Sequence, residues 1–265
     1  MRKLRSISLL VLTFSMCLNA CRKETKAIYR NLTADSSYIS ITNASPVVSN
    51  LLFYVDNQQV HLPDSPLSFG TTTYATYINN SNQINPTVQT LPYIKIPTGY
   101  NKISLNSSSP SGYNLMSNYF QNGANYSVFV TDTIIHGQFS SVILEDNIGL
   151  GDTSSGQVRF LNLSPDAPAL DVYAFADAGP NGYRVFSGCG YLPNDYSSLV
   201  NGESFTSMTY GPYYFVATEA NTLNVVLEGG LVIPQKSVVT IYAKGFVGGT
   251  GSTAIDVGVI MYQLK

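Results

Sequence analysis

The chain has 265 residues, of which 11% are charged and 44% are hydrophobic. An average soluble domain carries roughly 25% charged residues, so uncharged side chains must make most of this surface, and the 19 Tyr and 21 Gly agree with that. The composition is too apolar for a disordered chain and too poor in Lys, Glu and Ala for a helical bundle. Fourteen basic residues against sixteen acidic ones, with no basic cluster past the N-terminus, argue against a nucleic-acid partner.

The first 20 residues are predicted to be a signal peptide. Three basic residues in the first five positions precede an apolar run, Ile7 to Leu18, which is shorter than the roughly 20 residues of a membrane span. The run ends in Leu18-Asn19-Ala20-Cys21, which resembles the lipobox of bacterial lipoproteins. That resemblance implies cleavage before Cys21 and acylation of its thiol and amine. The alternative is an ordinary secretory signal with an incidental cysteine.

Acylation would anchor the mature chain in a membrane, because each buried methylene contributes about 0.8 kcal/mol. We expect the outer membrane, and the sequence leaves open whether the chain faces the periplasm or the cell surface. Loss of the three basic residues leaves eleven basic against sixteen acidic ones, a net charge near −5. Residues 21–36 are polar and aperiodic and are predicted to be a tether.

Beyond the tether, apolar and polar residues alternate with a period of two, which is typical of half-buried strands. Ile39 and Ile41 alternate with Ser40 and Thr42. Other such segments are 102–105, 223–227 and 255–261, and the runs 126–131, 213–218 and 238–243 read as buried strands. Residues 187–202 hold at most a short helical turn. The predicted class is all-β.

An internal repeat divides the chain. Asn43-Ala44-Ser45-Pro46 matches Asn162-Leu163-Ser164-Pro165 at an offset of 119, and the strand at 126–130 matches the strand at 239–243 at an offset of 113. Each copy has about 115 residues and seven or so short strands, the dimensions of an immunoglobulin-like antiparallel β-sandwich. We therefore predict one domain at 37–150 and another at 151–265, with the linker in the Gly/Ser/Asp stretch 149–156.

The segment 158–173, which contains Ser164-Pro165-Asp166-Ala167-Pro168, resembles the opening motif of the bacterial family DUF4397. The resemblance implies a surface or secreted β-sandwich domain, often paired with a second copy in one lipoprotein. The first copy keeps Ser45-Pro46 but has Val47 and Leu52 where the second has Asp166 and Asp171. The family supplies a fold and a location but no activity.

Asp166 and Asp171 are the best acidic candidates for a ligand site. With loop carbonyls they could hold Ca²⁺, which takes six to eight oxygen ligands. Alternatively, Asp166 caps the Ser-Pro turn and Asp171 lies on the solvent face of its strand. Their spacing fits no repeated acidic loop, so the structural interpretation is favoured, and no metal or cofactor is predicted.

No catalytic residue is predicted either. His61 and His136 are predicted to lie in loops or at strand ends, without a motif that pairs a base with a nucleophile. The glycine-rich stretch 249–254 is followed by a strand pattern and not by a phosphate-binding helix, so we expect a hairpin turn. Cys189, flanked by two glycines, is expected in a turn, with a structural role or none.

Tyrosine side chains are the remaining candidates for contact with a ligand or partner. Tyr210, Tyr213 and Tyr214 are the main candidate cluster, and the further aromatic candidates are at positions 74, 77, 113, 119 and 120. Such rings suit sugars or peptides, although Tyr is also simply a good strand residue. We expect a non-catalytic envelope lipoprotein that acts in adhesion or as a scaffold. The alternative is a carbohydrate-binding accessory lipoprotein of a glycan-uptake system.

Overall fold

The computed structural model describes residues 35–60, 66–72, 93–108, 111–132, 139–148, 154–176, 181–194 and 204–263, and residues 33–265 form one compact unit. Predictions for the signal, Cys21, His61 and His136 lie outside the described residues. The described part contains no helix long and apolar enough to cross a membrane. Its strands are β1 (Ser36–Asn43), β2 (Leu52–Val55), β3 (Gln58–Gln59), β4 (Ile94–Pro97), β5 (Gly99–Ser108), β6 (Ser111–Phe120), β7 (Asn125–Asp132), β8 (Phe139–Glu145), β9 (Ser155–Asn162), β10 (Leu170–Ala176), β11 (Tyr183–Cys189), β12 (Thr206–Thr209), β13 (Gly211–Glu219), β14 (Val225–Ile233), β15 (Ser237–Lys244) and β16 (Asp256–Gln263).

The first eight strands make two four-stranded sheets, in the orders β4-β1-β7-β8 and β3-β2-β5-β6. Side chains from both sheets meet in one hydrophobic core, which includes Ile39, Ile41, Phe53, Ile103 and Val128. Two sheets that share a core in this way form a β-sandwich. The predicted all-β sandwich class is therefore confirmed.

The last eight strands repeat this arrangement, with sheets β12-β9-β15-β16 and β11-β10-β13-β14 around a second core. Adding eight to each strand number of the first half gives the order of the second. The registers also correspond: β1 pairs with β7 from Tyr38↔Asn125 to Asn43↔Val130, and β9 pairs with β15 from Gln157↔Val238 to Asn162↔Ala243. These registers differ by 119 on one strand and 113 on the other, the two offsets found in the sequence.

Several details differ from the sequence-based expectations. The described residues of each half contain eight strands, close to the seven or so predicted, and the pairs β1–β7 and β9–β15 are parallel within otherwise antiparallel sheets. The short helical turn is a 3₁₀ turn at Leu192–Asn194, and another 3₁₀ turn at Gly251–Thr253 precedes β16. Cys189 ends a strand and is buried in the core, so the turn expected for it is wrong.

One sheet of each half is covered on both faces. Ser40 and Thr42 point away from the core of the first sandwich, yet both are buried. Thr72 of the same half covers Thr42, with the two hydroxyl oxygens 2.8 Å apart. A third apolar cluster covers more of this face, because it joins residues of both halves, among them Phe129, Leu144, Leu161 and Tyr242. The sheets β4-β1-β7-β8 and β12-β9-β15-β16 therefore pack against each other, and the sheets β3-β2-β5-β6 and β11-β10-β13-β14 lie on the outside.

Candidate functional site

The repeated Asn-x-Ser-Pro motif holds a loop in each half. Asn43 is fully buried at the end of β1, where its Nδ2 donates to the carbonyls of Val48 and Leu67 at 2.9 and 3.2 Å. The N–H of Ser45 donates back to its Oδ1. A side-chain amide that satisfies three backbone groups is costly to replace, because each would be left buried without a partner.

Asn162 makes the corresponding hydrogen bonds in the second half. Its Nδ2 donates to the carbonyls of Pro168 and Cys189, and the N–H of Ser164 donates to its Oδ1. Ser164 Oγ donates to the carbonyl of Gly245 at 2.7 Å. The motif shared by the two copies thus has a structural role in both.

Asp166 binds backbone N–H groups, as the structural interpretation expected, but not those of its own turn. Its carboxylate accepts from the N–H groups of Val247 and Gly248 at 2.8 and 3.2 Å, and the Ser164 hydroxyl lies 3.3 Å away. It therefore ties the loop after β9 to the loop after β15.

Asp171 was expected on the solvent face of β10, and that placement is wrong. Its side chain does point away from the core, but residues of β11 and of the turn after β13 cover it and leave it 2% exposed. It accepts from the N–H groups of Gly188 at 2.8 Å and Asn221 at 3.1 Å, and from Arg184 at 3.3 Å. Burial alone would raise the pKa of Asp171, but these three donors outweigh burial and hold the pKa below its usual value.

The two carboxylates share no hydrogen-bond partner in the described ranges. Within those ranges there is also no group of three or more His, Cys, Asp or Glu residues that could hold a metal ion. A Ca²⁺ ion at either carboxylate would have to compete with backbone N–H groups, which donate where a cation needs oxygen ligands.

The predicted tyrosine cluster does not form one platform. Tyr213 is buried in the second core, and its hydroxyl contacts that of Tyr183. Tyr210 and Tyr214 are exposed, the latter on the outer face of β13. Period-two alternation could have separated Tyr213 from Tyr214, because adjacent strand residues point to opposite faces.

The most exposed aromatic pair lies in the other outer sheet. Tyr100 on β5 and Tyr119 on β6 face each other in register, with ring centroids 5.0 Å apart in an edge-to-face arrangement. They are 83% and 53% exposed. Lys102 and Leu115 are exposed on the same two strands. Of the further aromatic positions, Tyr119 is thus presented to solvent, Phe120 is buried in the core, and the side chains of 74, 77 and 113 lie outside the described residues.

Sequence reasoning missed a buried ionic cluster between the halves. Arg159 on β9 pairs with Asp146, just after β8, at 2.6 Å between Nη1 and Oδ1, with both side chains almost completely buried. Arg159 also donates to Ser127 of the first half at 3.0 Å and to Thr240 of its own half at 2.9 Å. Ser127 and Thr240 occupy equivalent positions, so one guanidinium bridges the same site of both repeats.

Two aromatic residues at equivalent positions close this cluster. The Arg159 guanidinium lies 4.5 Å from the ring centroid of Phe205, which precedes β12. Tyr93, which precedes β4, donates to Asp146 at 2.6 Å and lies 3.0 Å from the Tyr262 hydroxyl. Burial and the neighbouring Asp146 carboxylate raise the pKa of Tyr93 well above its usual value, so the phenol stays protonated.

One aromatic contact joins equivalent residues of the two halves, as a two-fold relation between them would. Phe129 and Tyr242 occupy equivalent positions in β7 and β15, and their ring centroids are 5.9 Å apart. A contact between equivalent residues is what a two-fold relation produces on its axis. Arg159 breaks the symmetry, because its counterpart in the first half is Ser40. The interface therefore fixes one defined arrangement of the two sandwiches.

Comparisons with known proteins give a family but no activity. The family model described as "Domain of unknown function (DUF4397)" matches residues 37–173, which is the first sandwich together with β9 and the start of β10. A search of curated proteins found no match. A solved structure described as a "putative cell adhesion protein" from Bacteroides eggerthii DSM 20697 is 8% identical, with a TM-score of 0.25, and the match covers 86% of this chain and 95% of that one.

Proposed function

We propose, from the premise that the chain belongs to the DUF4397 family, that it is a non-catalytic, lipid-anchored interaction module of the cell envelope. One observation carries the proposal. The buried interface uses one sheet of each sandwich, so the two remaining sheets are the faces that a partner can reach. Those faces carry exposed tyrosines and few charges, a composition that suits contact with proteins or glycans.

We also propose that the second half is a second copy of the family domain. The two halves share strand order and parallel register. Asn162 makes the same kind of contacts as Asn43, which lies within the matched segment. A chain with two joined copies presents its two outer sheets as one rigid body, which is useful for a scaffold or an adhesin.

The lipid anchor is assigned to Cys21 on its lipobox. Expression of the full chain with a labelled palmitate analogue should label the wild type and should not label Cys21→Ala. The wild type should enter the detergent phase of a Triton X-114 extraction, and the variant should stay in the aqueous phase. Equal labelling of the two would refute the anchor. Protease added to intact cells then separates the surface from the periplasmic orientation.

Adhesion is tested with the exposed tyrosines. Beads coated with the wild type should be retained on bacterial or host cell layers, and Tyr100→Ser with Tyr119→Ser should reduce retention severalfold. Tyr38→Ser is a matched control, because Tyr38 is a surface tyrosine on β1, outside the two outer sheets. Equal retention of bare beads and coated beads would refute a role in adhesion.

The alternative, a carbohydrate-binding accessory lipoprotein for glycan uptake, is favoured by the same Tyr100–Tyr119 pair. Native electrophoresis through gels that contain neutral polysaccharides tests it directly. Retardation that is lost in the double serine variant and kept in Tyr38→Ser would support this alternative. If no polysaccharide retards the wild type, the alternative is wrong and the adhesion proposal is unaffected.

A further inference from the structure

The edge strand β14 is unusually unprotected. It is nine residues long and lies at the end of its sheet, where β13 is its one ladder partner among the described residues. Natural edge strands are usually guarded by short length, charged residues, proline or β-bulges, and β14 has one bulge, at Val226 near its first residue. Val225–Ile233 contains a single charged residue, Glu228, and no proline. Its outward backbone groups can therefore pair with another strand.

The sequence of β14 is nearly symmetric about Gly229. When two copies of Val-Val-Leu-Glu-Gly-Gly-Leu-Val-Ile are aligned antiparallel on this residue, Leu227 faces Leu231 and Val226 faces Val232. Glu228 faces Gly230, so the two carboxylates do not lie directly opposite each other, where like charges destabilise a sheet. A strand that matches its own reverse fits a second copy of itself better than an unrelated peptide.

The two glycines at the centre of β14 have open space on the faces of the sheet, so a side chain can be added at either position. A Cβ built at Gly229 meets no other atom within 4 Å, and one at Gly230 meets only the Tyr213 carbonyl oxygen, at 3.9 Å. Val225 and Val232 are both at least half exposed. The ladder with β13 is regular from Leu227 to Ile233, with a bulge at Val226. The regular part contains the whole centre of the symmetric segment.

We propose that β14 is a self-association edge, on which two chains pair antiparallel about Gly229. The two outer four-stranded sheets would then continue as one eight-stranded sheet, in an isologous contact with two-fold symmetry. This inference is independent of the proposed function, since it concerns a second copy of the chain and not an envelope partner.

The first test introduces a positive or a negative charge at the exposed position 230. Gly230→Lys places a lysine opposite Glu228 of the other copy, and Gly230→Glu places a like charge there. Each dimer contains this pair twice, so the lysine variant should tighten and the glutamate variant weaken dimerisation, each by roughly 2- to 30-fold. Sedimentation equilibrium of the full chain in detergent measures both constants, and circular dichroism checks that both variants fold.

The second test is a cross-link at the symmetry centre. In Gly229→Cys the two cysteines would lie directly opposite each other, about 4.5–5.5 Å apart between Cα atoms, within reach of a disulfide. In the control Val232→Cys the two introduced cysteines would lie about 20 Å apart along the strands, too far for a disulfide. We expect oxidation to give a covalent dimer for Gly229→Cys only. The proposal is wrong if the chain stays monomeric at millimolar concentration. It is also wrong if the two Gly230 variants dimerise equally, or if the two cysteine variants cross-link equally.

Discussion

Replacement of Arg159 by methionine should strongly destabilise the contact between the two sandwiches. Methionine keeps much of the apolar stem of arginine but removes the guanidinium that contacts Asp146, Ser127 and Thr240. The Asp146 carboxylate then remains buried with two hydroxyl donors, Tyr93 and Ser127, and without its cation.

The size of the effect follows from the geometry. Two unit charges separated by 2.6 Å attract each other by about 6 kcal/mol at an effective dielectric constant of about 20. The two retained hydrogen bonds and relaxation of the site recover part of this, and loss of one partner of a buried pair typically costs about 3–5 kcal/mol. We expect the free energy of unfolding to fall by that amount.

Urea unfolding, followed by tyrosine fluorescence because the chain has no Trp, measures this loss. Arg159→Met combined with Asp146→Asn removes both charges and should be more stable than Arg159→Met alone. The control is Asp256→Asn, which breaks the more exposed pair with Lys244 and should cost less than about 1 kcal/mol. A cost below 1 kcal/mol for Arg159→Met would refute the assignment of a buried, coupled pair.

Three further predictions concern the folded units. Asn162→Ala should lower the free energy of unfolding by about 2–4 kcal/mol, because three buried backbone groups lose their partner, whereas Thr209→Ala on an exposed site should change it by less than about 0.5 kcal/mol in the same urea assay. Gly258→Ala should destabilise the chain by about 1–3 kcal/mol, because its Cβ would collide with the Tyr242 ring. Gly230→Ala is the control and should cost less than about 1 kcal/mol, so equal thermal midpoints of the two variants would contradict the prediction. The lowered pKa of Asp171 stabilises the fold at pH values above its unfolded pKa of about 3.9, and this contribution is lost as the pH falls through the folded pKa. Asp171→Asn should therefore make the free energy of unfolding depend less on pH below about pH 4, and should leave its dependence near pH 7 unchanged.

Strand positions and their repetition could be predicted from the sequence. Alternation placed Ile39 and Ile41 on an inward face, and both lie in the core. The offsets of 119 and 113 predicted which strands correspond, because insertions between copies fall in loops and leave strand register unchanged. The parallel pairing of β1 with β7 could not be predicted, since alternation is the same for both pairing directions.

The contact between the halves could not be predicted for a similar reason. A period of two shows which side chains of a strand point away from the core, but it does not show what packs against that other face. Ser40 and Thr42 therefore read as solvent-facing, although both are buried in the folded chain. Asp171 was misplaced by the same rule, because Gly188 of β11 and Asn221 in the turn after β13 cover this part of the outward face of β10. Arg159 gave one usable signal, because it is the single charged residue of β9 and stands between Val158 and Phe160.

Differential scanning calorimetry of the full chain tests the central claim, that a buried interface makes the two sandwiches one unit. Tight coupling predicts a single transition for the wild type, with equal calorimetric and van't Hoff enthalpies. Arg159→Met should lower the midpoint and separate the transition into two. Two independent transitions in the wild type, unchanged by Arg159→Met, would contradict the claim.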